Sequence, residues 1–343
     1  MSSLVARSRP LIILVALGTL LRVYFGVSLL LIAVLGLLLC CVFAGSSPNA
    51  MEQFVPIYRP GTADGLKWGV AAVQGRRPYM EDMHQVVHFH DGEGAFTEGA
   101  AAADRVGLTH FFAVFDGHGG KRAAEWAHAN LVGNLLKELM GSSLGKGDAH
   151  RCLETSATAA FVKTDAEFLR QAKLREMPDG STAITCMLQQ LPGSSGGRRL
   201  LVANLGDSRA VLVQRNGSAA ALSDDHKPNR PDERARVQAA GGRVIFAGCW
   251  RVQGDLAVSR AFGDRHLKGF GVSAQPELKS YTVGPQDAWL VLASDGLWDV
   301  VDEAMCGNSC ARAHDPLEAA RTLCDLASTR GSMDNITVLV VAL

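Results

Sequence analysis

The chain has 343 residues, and its 34 Lys and Arg offset 34 Asp and Glu to a formal net charge of +0. That length allows one large domain or two ordinary ones, and balanced charge without a basic, aromatic-interleaved stripe argues against nucleic acid as a partner. The cysteines form no CxxC pair and have no histidine at zinc spacing, so they read as buried free thiols rather than metal ligands.

Residues 1–44 read as a membrane anchor or a signal peptide. Arg7 and Arg9 precede an apolar run from Leu11 to Leu21, and after Arg22 an uncharged stretch continues from Val23 to Ala44. That stretch meets the ~20 residues needed to span a bilayer as a helix. The expected localisation is a single-pass N-terminal membrane anchor. The alternative is entry to the secretory pathway and secretion after cleavage behind Ala44. Basic residues ahead of the segment would leave the N-terminus cytosolic and the rest translocated. Residues 45–65 hold Ser, Pro, Asn and Gly without a period and read as a tether, and the folded domain is expected over 66–343.

Within that domain strands are expected over 86–90 and 110–115. They flank a Gly- and Ala-rich insert, 91–107, that reads as a mobile loop. A helix is expected over 122–140, where Ala123, Trp126, Ala127, Leu131, Leu135 and Leu139 recur at helical spacing. A second over 151–175 would pair with it as a helical hairpin. Strands follow over 182–189, 200–205 and 210–215. Asn216-Gly217 signals a hairpin turn from which 218–222 returns, and a helix over 232–240 stops at Gly241-Gly242. Strands joined by short turns imply antiparallel sheets, and blocks of strands and helices imply an α+β layered domain.

The acids collect at strand ends. Phe111 to Phe115 runs into Asp116-Gly117-His118-Gly119-Gly120, and Leu290 to Ser294 runs into Asp295-Gly296-Leu297-Trp298-Asp299. Asp207 lies just past a strand in Gly206-Asp207-Ser208-Arg209, and Asp334 precedes the last strand. Glu81 and Asp82 follow Arg77. Like charges in low dielectric repel strongly, so clustered carboxylates call for cations. All-oxygen ligands suit Mg²⁺ or Mn²⁺. A pair of such ions about 3.5–4 Å apart activates a bridging water and holds a phosphoryl oxygen, and a nearby arginine binds phosphate through its fork.

Taken together, Arg-x-x-Met-Glu-Asp, Phe-Asp-Gly-His-Gly-Gly, Gly-Ser-Thr-Ala, Gly-Asp-Ser-Arg, Leu-Ala-Val-Ser-Arg-Ala-Phe-Gly-Asp, Ser-Asp-Gly-Leu-Trp-Asp and Asp-Asn-Ile-Thr-Val resemble the metal-dependent Ser/Thr protein phosphatases of type 2C. The resemblance covers 66–343. It implies an α-β-β-α fold, a β-sandwich of two antiparallel sheets flanked by helix pairs. It also implies hydrolysis of phosphoserine and phosphothreonine in proteins by a hydroxide bridging two Mg²⁺ or Mn²⁺ ions, with no organic cofactor. By matching motifs, Asp116 would bridge the metals and Gly117 would lend its carbonyl. Asp295 and Asp334 would be ligands of the first metal, and Glu81 and Asp82 would hold metal-bound waters. Arg77 would grip the phosphate and His118 would protonate the leaving oxygen. Asp207 and Asp299, with Asp295 and with Thr182 nearby, would form a third metal site. Arg251 falls beside a flap expected around 229–249.

Other polar residues read more plainly. Asp255 and Asp264 read as turn or capping acids, His84, His88 and His90 as rim groups, and Arg209 and Arg260 as structural ion-pair partners. Trp298 and Phe262 read as core anchors. No metal acid of the family pattern is missing, which argues against the alternative of a catalytically inactive phosphoprotein-binding module. The partners implied are phosphorylated proteins and, through the N-terminal segment, a membrane, with the chain acting as a monomer.

Overall fold

Near-continuous burial along the central strands goes with two antiparallel sheets, each apolar on both faces. The structure is a computed structural model that describes residues 55–89, 99–142, 149–191, 193 and 197–343. In chain order, β1 (Ile57–Ala63), β2 (Leu66–Val73) and β3 (Met83–His88) lead to α1 (Ala100–Arg105), β4 (Leu108–Phe115) and the short β5 (Gly117–His118). Helices α2 (Arg122–Gly141) and α3 (Ala149–Arg175) follow, then β6 (Gly180–Ser181), β7 (Ala183–Gln190), β8 (Arg198–Leu205), β9 (Arg209–Gln214) and β10 (Ala219–Ala221). Helix α4 (Pro231–Ala239), the hairpin of β11 (Val244–Ala247) and β12 (Cys249–Val252), and β13 (Phe262–Gly263) come next. The chain continues through β14 (Glu277–Thr282), β15 (Asp287–Ala293), α5 (Asp295–Trp298), α6 (Glu303–Cys310), α7 (Pro316–Thr329) and β16 (Ile336–Ala342).

One sheet has the order β1-β2-β16-β15-β9-β10 and the other β14-β8-β7-β4-β3. Strand β4 shows how the pleat builds the layers. Phe112 and Val114 pack between the sheets with Val70, Leu212, Leu292 and Leu339. Phe111, Ala113 and Phe115 point the other way, against Leu131 and Leu135 of α2 and Phe161 of α3. Helices α6 and α7 cover the outer face of the larger sheet through Cys306, Cys310, Leu323 and Cys324. The α+β sandwich of antiparallel sheets with flanking helices is therefore the observed fold.

Most expected elements fall within a few residues of their places. The Asn216-Gly217 turn joins β9 to β10, with Gly217 at φ +84. Helix α4 ends as its glycines imply: the Gly242 N–H donates to Val237 and the Gly241 N–H to Gln238. Residues 57–63, expected within the tether, form β1, which pairs with β2 along its whole length, from Ile57 opposite Ala72 to Ala63 opposite Leu66. The insert 91–107 is not all loop, since α1 buries Ala102 and Ala103. Four alanines in a row favour a helix more than they favour mobility.

The membrane expectation is corrected. Among the described residues no helix is long and apolar enough to cross a membrane, so a single-pass transmembrane helix finds no support. Residues 1–44, on which that expectation and the signal-peptide alternative rested, lie outside the described residues, as does His90.

Between β10 and β14 a smaller apolar cluster of Val237, Val252, Val258, Ala261, Leu267 and Val272 holds the flap region together. At its edge Glu233, 1% exposed, accepts from Arg260 at 2.7 Å and also from Arg236 and Ser259. Burial alone would raise its pKa, but the two guanidinium groups outweigh that and hold it well below the usual range. Glu233→Ala strips two arginines of their shared acceptor. It is expected to lower stability by about 3 kcal/mol in urea unfolding, with earliest proteolysis between α4 and β12.

Candidate metal and phosphate site

The site forms where strands of both sheets end at one rim of the sandwich. Asp116 follows β4 and Asp82 precedes β3, and pairing of Met83 with Phe115 sets these two acids side by side. Asp295 follows β15 from the other sheet, and Asp334 lies just before β16, which pairs with β15. Asp207 follows β8. A cleft of about 730 Å³ is lined by Arg77, Glu81, Asp116, Gly117, His118, Thr182, Asp207, Asp295, Asp299 and Asp334. Asp82, 6% exposed, is buried beside Asp116 and does not line the cleft.

Three polar side chains tie these ends together. The Ser294 hydroxyl donates to Asp82 Oδ2 at 2.8 Å and accepts from the Thr337 N–H, linking one sheet to the other. The Asn335 amide donates to the carbonyls of Gln74 and Tyr79, and its oxygen accepts from the Glu81 N–H. The loop that carries Arg77, Glu81 and Asp82 is thus pinned to β16. Thr182 Oγ1 accepts from the Asp116 N–H and contacts Ser208 beside Asp207. Sequence reasoning missed Ser294 and Asn335 as positioning residues. Their only signal was adjacency to Asp295 and Asp334.

The acids are costly as they stand. Burial first, then the charges of Asp295, Asp82, Asp207 and Asp334, raise the pKa of Asp116 well above its ordinary value. Asp295 is raised by burial and by Asp207, Asp299 and Asp334. Burial pushes Asp82 to about 7, and its Oδ1 is enclosed without a hydrogen-bond partner. Among the described residues, Arg77 and Lys227 pair with acids of this cleft. Arg77 pairs with Asp334 at 2.5 Å, both groups partly exposed. Lys227 pairs with Asp207 at 2.5 Å; burial opposes its charge, but Asp207, Asp295 and Asp299 outweigh burial and raise it. Lys227, absent from the sequence reading, therefore stands among the acids assigned to a third metal.

Mg²⁺ or Mn²⁺ suits this donor set. The groups are all oxygens, burial and then mutual repulsion raise the pKa of three of them, and one buried carboxylate oxygen has no hydrogen-bond partner. Among the described residues no three acids, imidazoles or thiolates are drawn tightly enough together to enclose an ion, so the fit rests on donor chemistry and charge.

The remaining expectations divide. Arg209 bonds Asp225 and Glu303, and Arg260 bonds Glu233, as structural pairs. Trp298 and Phe262 are core residues. His88 is not a free rim group but contacts Asp64 at 2.6 Å, and burial holds His84 down at about 4. Asp264, read as a turn acid, instead contacts His118 at 2.8 Å. Arg251 lines the cleft and donates to the Asp255 carbonyl.

Comparison with known proteins bears on the whole of this region. The family model described as Protein phosphatase 2C matches residues 67–336. A protein of Oryza sativa subsp. japonica, "Probable protein phosphatase 2C member 13, mitochondrial", is 46% identical over 281 residues, covering 80% of this chain and 68% of that protein. "Probable protein phosphatase 2C 59" of Arabidopsis thaliana is 44% identical over 302 residues, 86% of each chain. Among solved structures, the serine-threonine phosphatase 2C from Toxoplasma gondii superposes with a TM-score of 0.68 at 25% identity, covering 84% of this chain and 98% of that one.

The raised acids set a pH-dependent response to metal. Protonated carboxylates are favoured in the folded, metal-free chain. Their stabilising contribution is full below the ordinary carboxylate range and is lost as pH rises through the raised values, about 7 for Asp82, with Asp116 and Asp295 raised in the same direction. A divalent cation relieves that repulsion. The rise in Tm on adding Mn²⁺ is therefore expected to be larger at pH 8 than at pH 6 by scanning fluorimetry. The neutral buried His84 and His226 cancel in this difference. Asp116→Asn should narrow it, and a Mn²⁺ increment that shrinks towards pH 8 contradicts the electrostatic account.

Proposed function

The chain belongs to the protein phosphatase 2C family, the protein-serine/threonine phosphatases, and from that premise we propose that its rim cleft hydrolyses phosphoserine and phosphothreonine in proteins with Mg²⁺ or Mn²⁺ bound at two sites. The observation that carries the reading is the delivery of acids from both sheets to one cleft, with a cationic arginine at its edge and a histidine beside Asp116. Asp116, the Gly117 carbonyl, Asp295 and Asp334 would hold the ions, with Glu81 and Asp82 completing their surroundings from further out. When bound, such a pair lowers the pKa of an attacking water and neutralises charge on the phosphoryl oxygens.

The chain's own residues do the rest. Arg77 exchanges Asp334 for the substrate phosphate, and its fork matches two non-bridging oxygens, where charge must be stabilised. His118, with its side chain 31% exposed to the cleft, supplies a proton to the departing seryl or threonyl oxygen. Asp207 and Asp299 would hold a third cation only in competition with the Lys227 ammonium. Glu81 and Arg77 keep their places through the Asn335 bonds, so the phosphate grip and the metal acids move as one unit.

Release of phosphate from a phosphothreonine peptide is expected to need Mn²⁺ or Mg²⁺ and to stop with EDTA. Asp116→Ala and Asp295→Ala should each abolish it, and full turnover by purified Asp116→Ala would overturn the mechanism. No turnover by the wild-type chain with metal, alongside tight phosphopeptide binding, would favour the inactive binding module instead.

Arg77→Ala removes a charge-assisted contact made already in the bound substrate. It is expected to raise KM roughly 10- to 100-fold while changing kcat much less. A fall in kcat at unchanged KM would place Arg77 elsewhere in the reaction.

A further inference from the structure

We propose that Asp264 is a positioning residue for the reaction, fixing the ring orientation and tautomer of His118 through a contact made across Gly180. The inference rests on the reading of His118 as the general acid. His118 and Asp264 are far apart in the chain, and a three-stranded sheet of six residues brings them together. In it β6 lies between β5 and β13, with His118 opposite Gly180 and Gly180 opposite Gly263. Asp264 is the next residue after β13, and its Oδ2 meets His118 Nε2 at 2.8 Å.

The contact exists because residue 180 has no side chain. A Cβ built there would lie 2.1 Å from both Asp264 Oδ2 and His118 Nε2. Asp264 is itself held. Its N–H donates to the Asp179 carbonyl at 3.0 Å, its carbonyl accepts from the Leu267 N–H, and its φ is +46. A non-glycine residue in the left-handed region is costly, although Asp is among those that tolerate it. One step back, the Gly263 N–H donates to Asp165, which pairs with Lys268 at 2.8 Å. The Asp264 side chain is 3% exposed and the His118 side chain 31%. A buried carboxylate therefore grips one nitrogen of an imidazole whose other edge faces the cleft.

The consequence is an assignment of atoms. A carboxylate accepts only from Nε2–H, so the nitrogen left to serve the substrate is Nδ1. As the phosphorus–oxygen bond breaks, its electron pair stays on the seryl or threonyl oxygen, which takes the proton from Nδ1. The imidazole keeps its Nε2–H on Asp264 and recovers a proton from solvent water. An acid that holds an imidazole in one tautomer and orientation acts through that group and need not be protonated itself.

The test uses the full chain with Mn²⁺ and two substrates, a phosphothreonine peptide with a poor leaving group and p-nitrophenyl phosphate with a good one. His118→Gln and Asp264→Asn are each expected to lower kcat on the peptide by about 10²-fold or more. KM should stay within about twofold, and loss on the aryl phosphate should be much smaller. The double variant should be no worse than His118→Gln alone. Nitrogen-15 NMR of the metal-free protein, at a pH where the His118 ring is neutral, should show the Nε2–H tautomer in the wild type and a changed tautomer in Asp264→Asn. Calorimetric Mn²⁺ binding should be unchanged. Should Asp264→Asn fail to fold, Asp264→Glu keeps the acid on a longer arm and should retain the Nε2–H signal with a partial loss on the peptide. Equal losses of His118→Gln on both substrates overturn the acid reading and the inference with it. A leaving-group-selective His118→Gln beside an unaffected Asp264→Asn, or an Asp264→Asn loss that is equal on both substrates, overturns the inference alone.

Discussion

Mutual repulsion among carboxylates governs this molecule. Two antiparallel sheets packed face to face deliver Asp82, Asp116, Asp207, Asp295 and Asp334 to one rim, and burial removes the water that would screen them. Burial first, and then the neighbouring carboxylates, raise Asp82, Asp116 and Asp295. Such an arrangement is unfavourable for the bare chain and favourable only once positive charge arrives. The fold can hold it because both sheets are anchored on apolar layers remote from the rim. Phe112, Val114, Leu292 and Leu339 pack between them irrespective of what the acids do.

What the fold adds is fixed spacing between charges that come from distant parts of the chain. Ser294 bonds the buried Asp82 of one sheet while meeting the backbone of the other. Asn335 gathers two carbonyls and an N–H from the loop that bears Arg77 and Glu81. Neither side chain needs a charge to do this. A neutral hydroxyl and a neutral amide can be satisfied in full inside a cluster of acids, whereas a lysine there would neutralise the very field that recruits a cation. His226 fits the same economy of charge. Burial, with Arg260 nearby, holds it down at about 3, so its neutral Nδ1 accepts from the Gly206 N–H beside Asp207.

The parts legible in the sequence are those that local pattern determines. Phe111 to Phe115 alternates between two apolar layers and stops at Asp116, and Asn216-Gly217 turns where its backbone preference says it must. The motif resemblance named Glu81, Asp116, Asp207, Asp295, Asp299 and Asp334, and all six line one cleft. Less legible were features with no period of their own. Strand β1 has a half-exposed, irregular sequence that becomes a strand only by lying against β2. The alanines of α1 read as low complexity because their burial depends on α2. The Asp264 contact could not be read at all. It spans 146 positions and passes over a glycine that looks, in the sequence, like any other turn residue.

The distribution of the chain's own cations gives the site its direction. Arg77 answers Asp334 at one edge of the cleft, and Lys227 answers Asp207 at another. Between them, the strongest charges acting on Asp116 are all negative. The chain thus neutralises its periphery and leaves the deficit at the centre, where external cations gain most by entering. In the Arg77–Asp334 pair both partners are partly exposed, where ion pairs are weak and readily exchanged. Arg77 can leave Asp334 for a phosphate at little cost once Asp334 has a better counter-charge. In the proposed reading, metal entry and the freeing of Arg77 for a phosphate would be two sides of one exchange of partners.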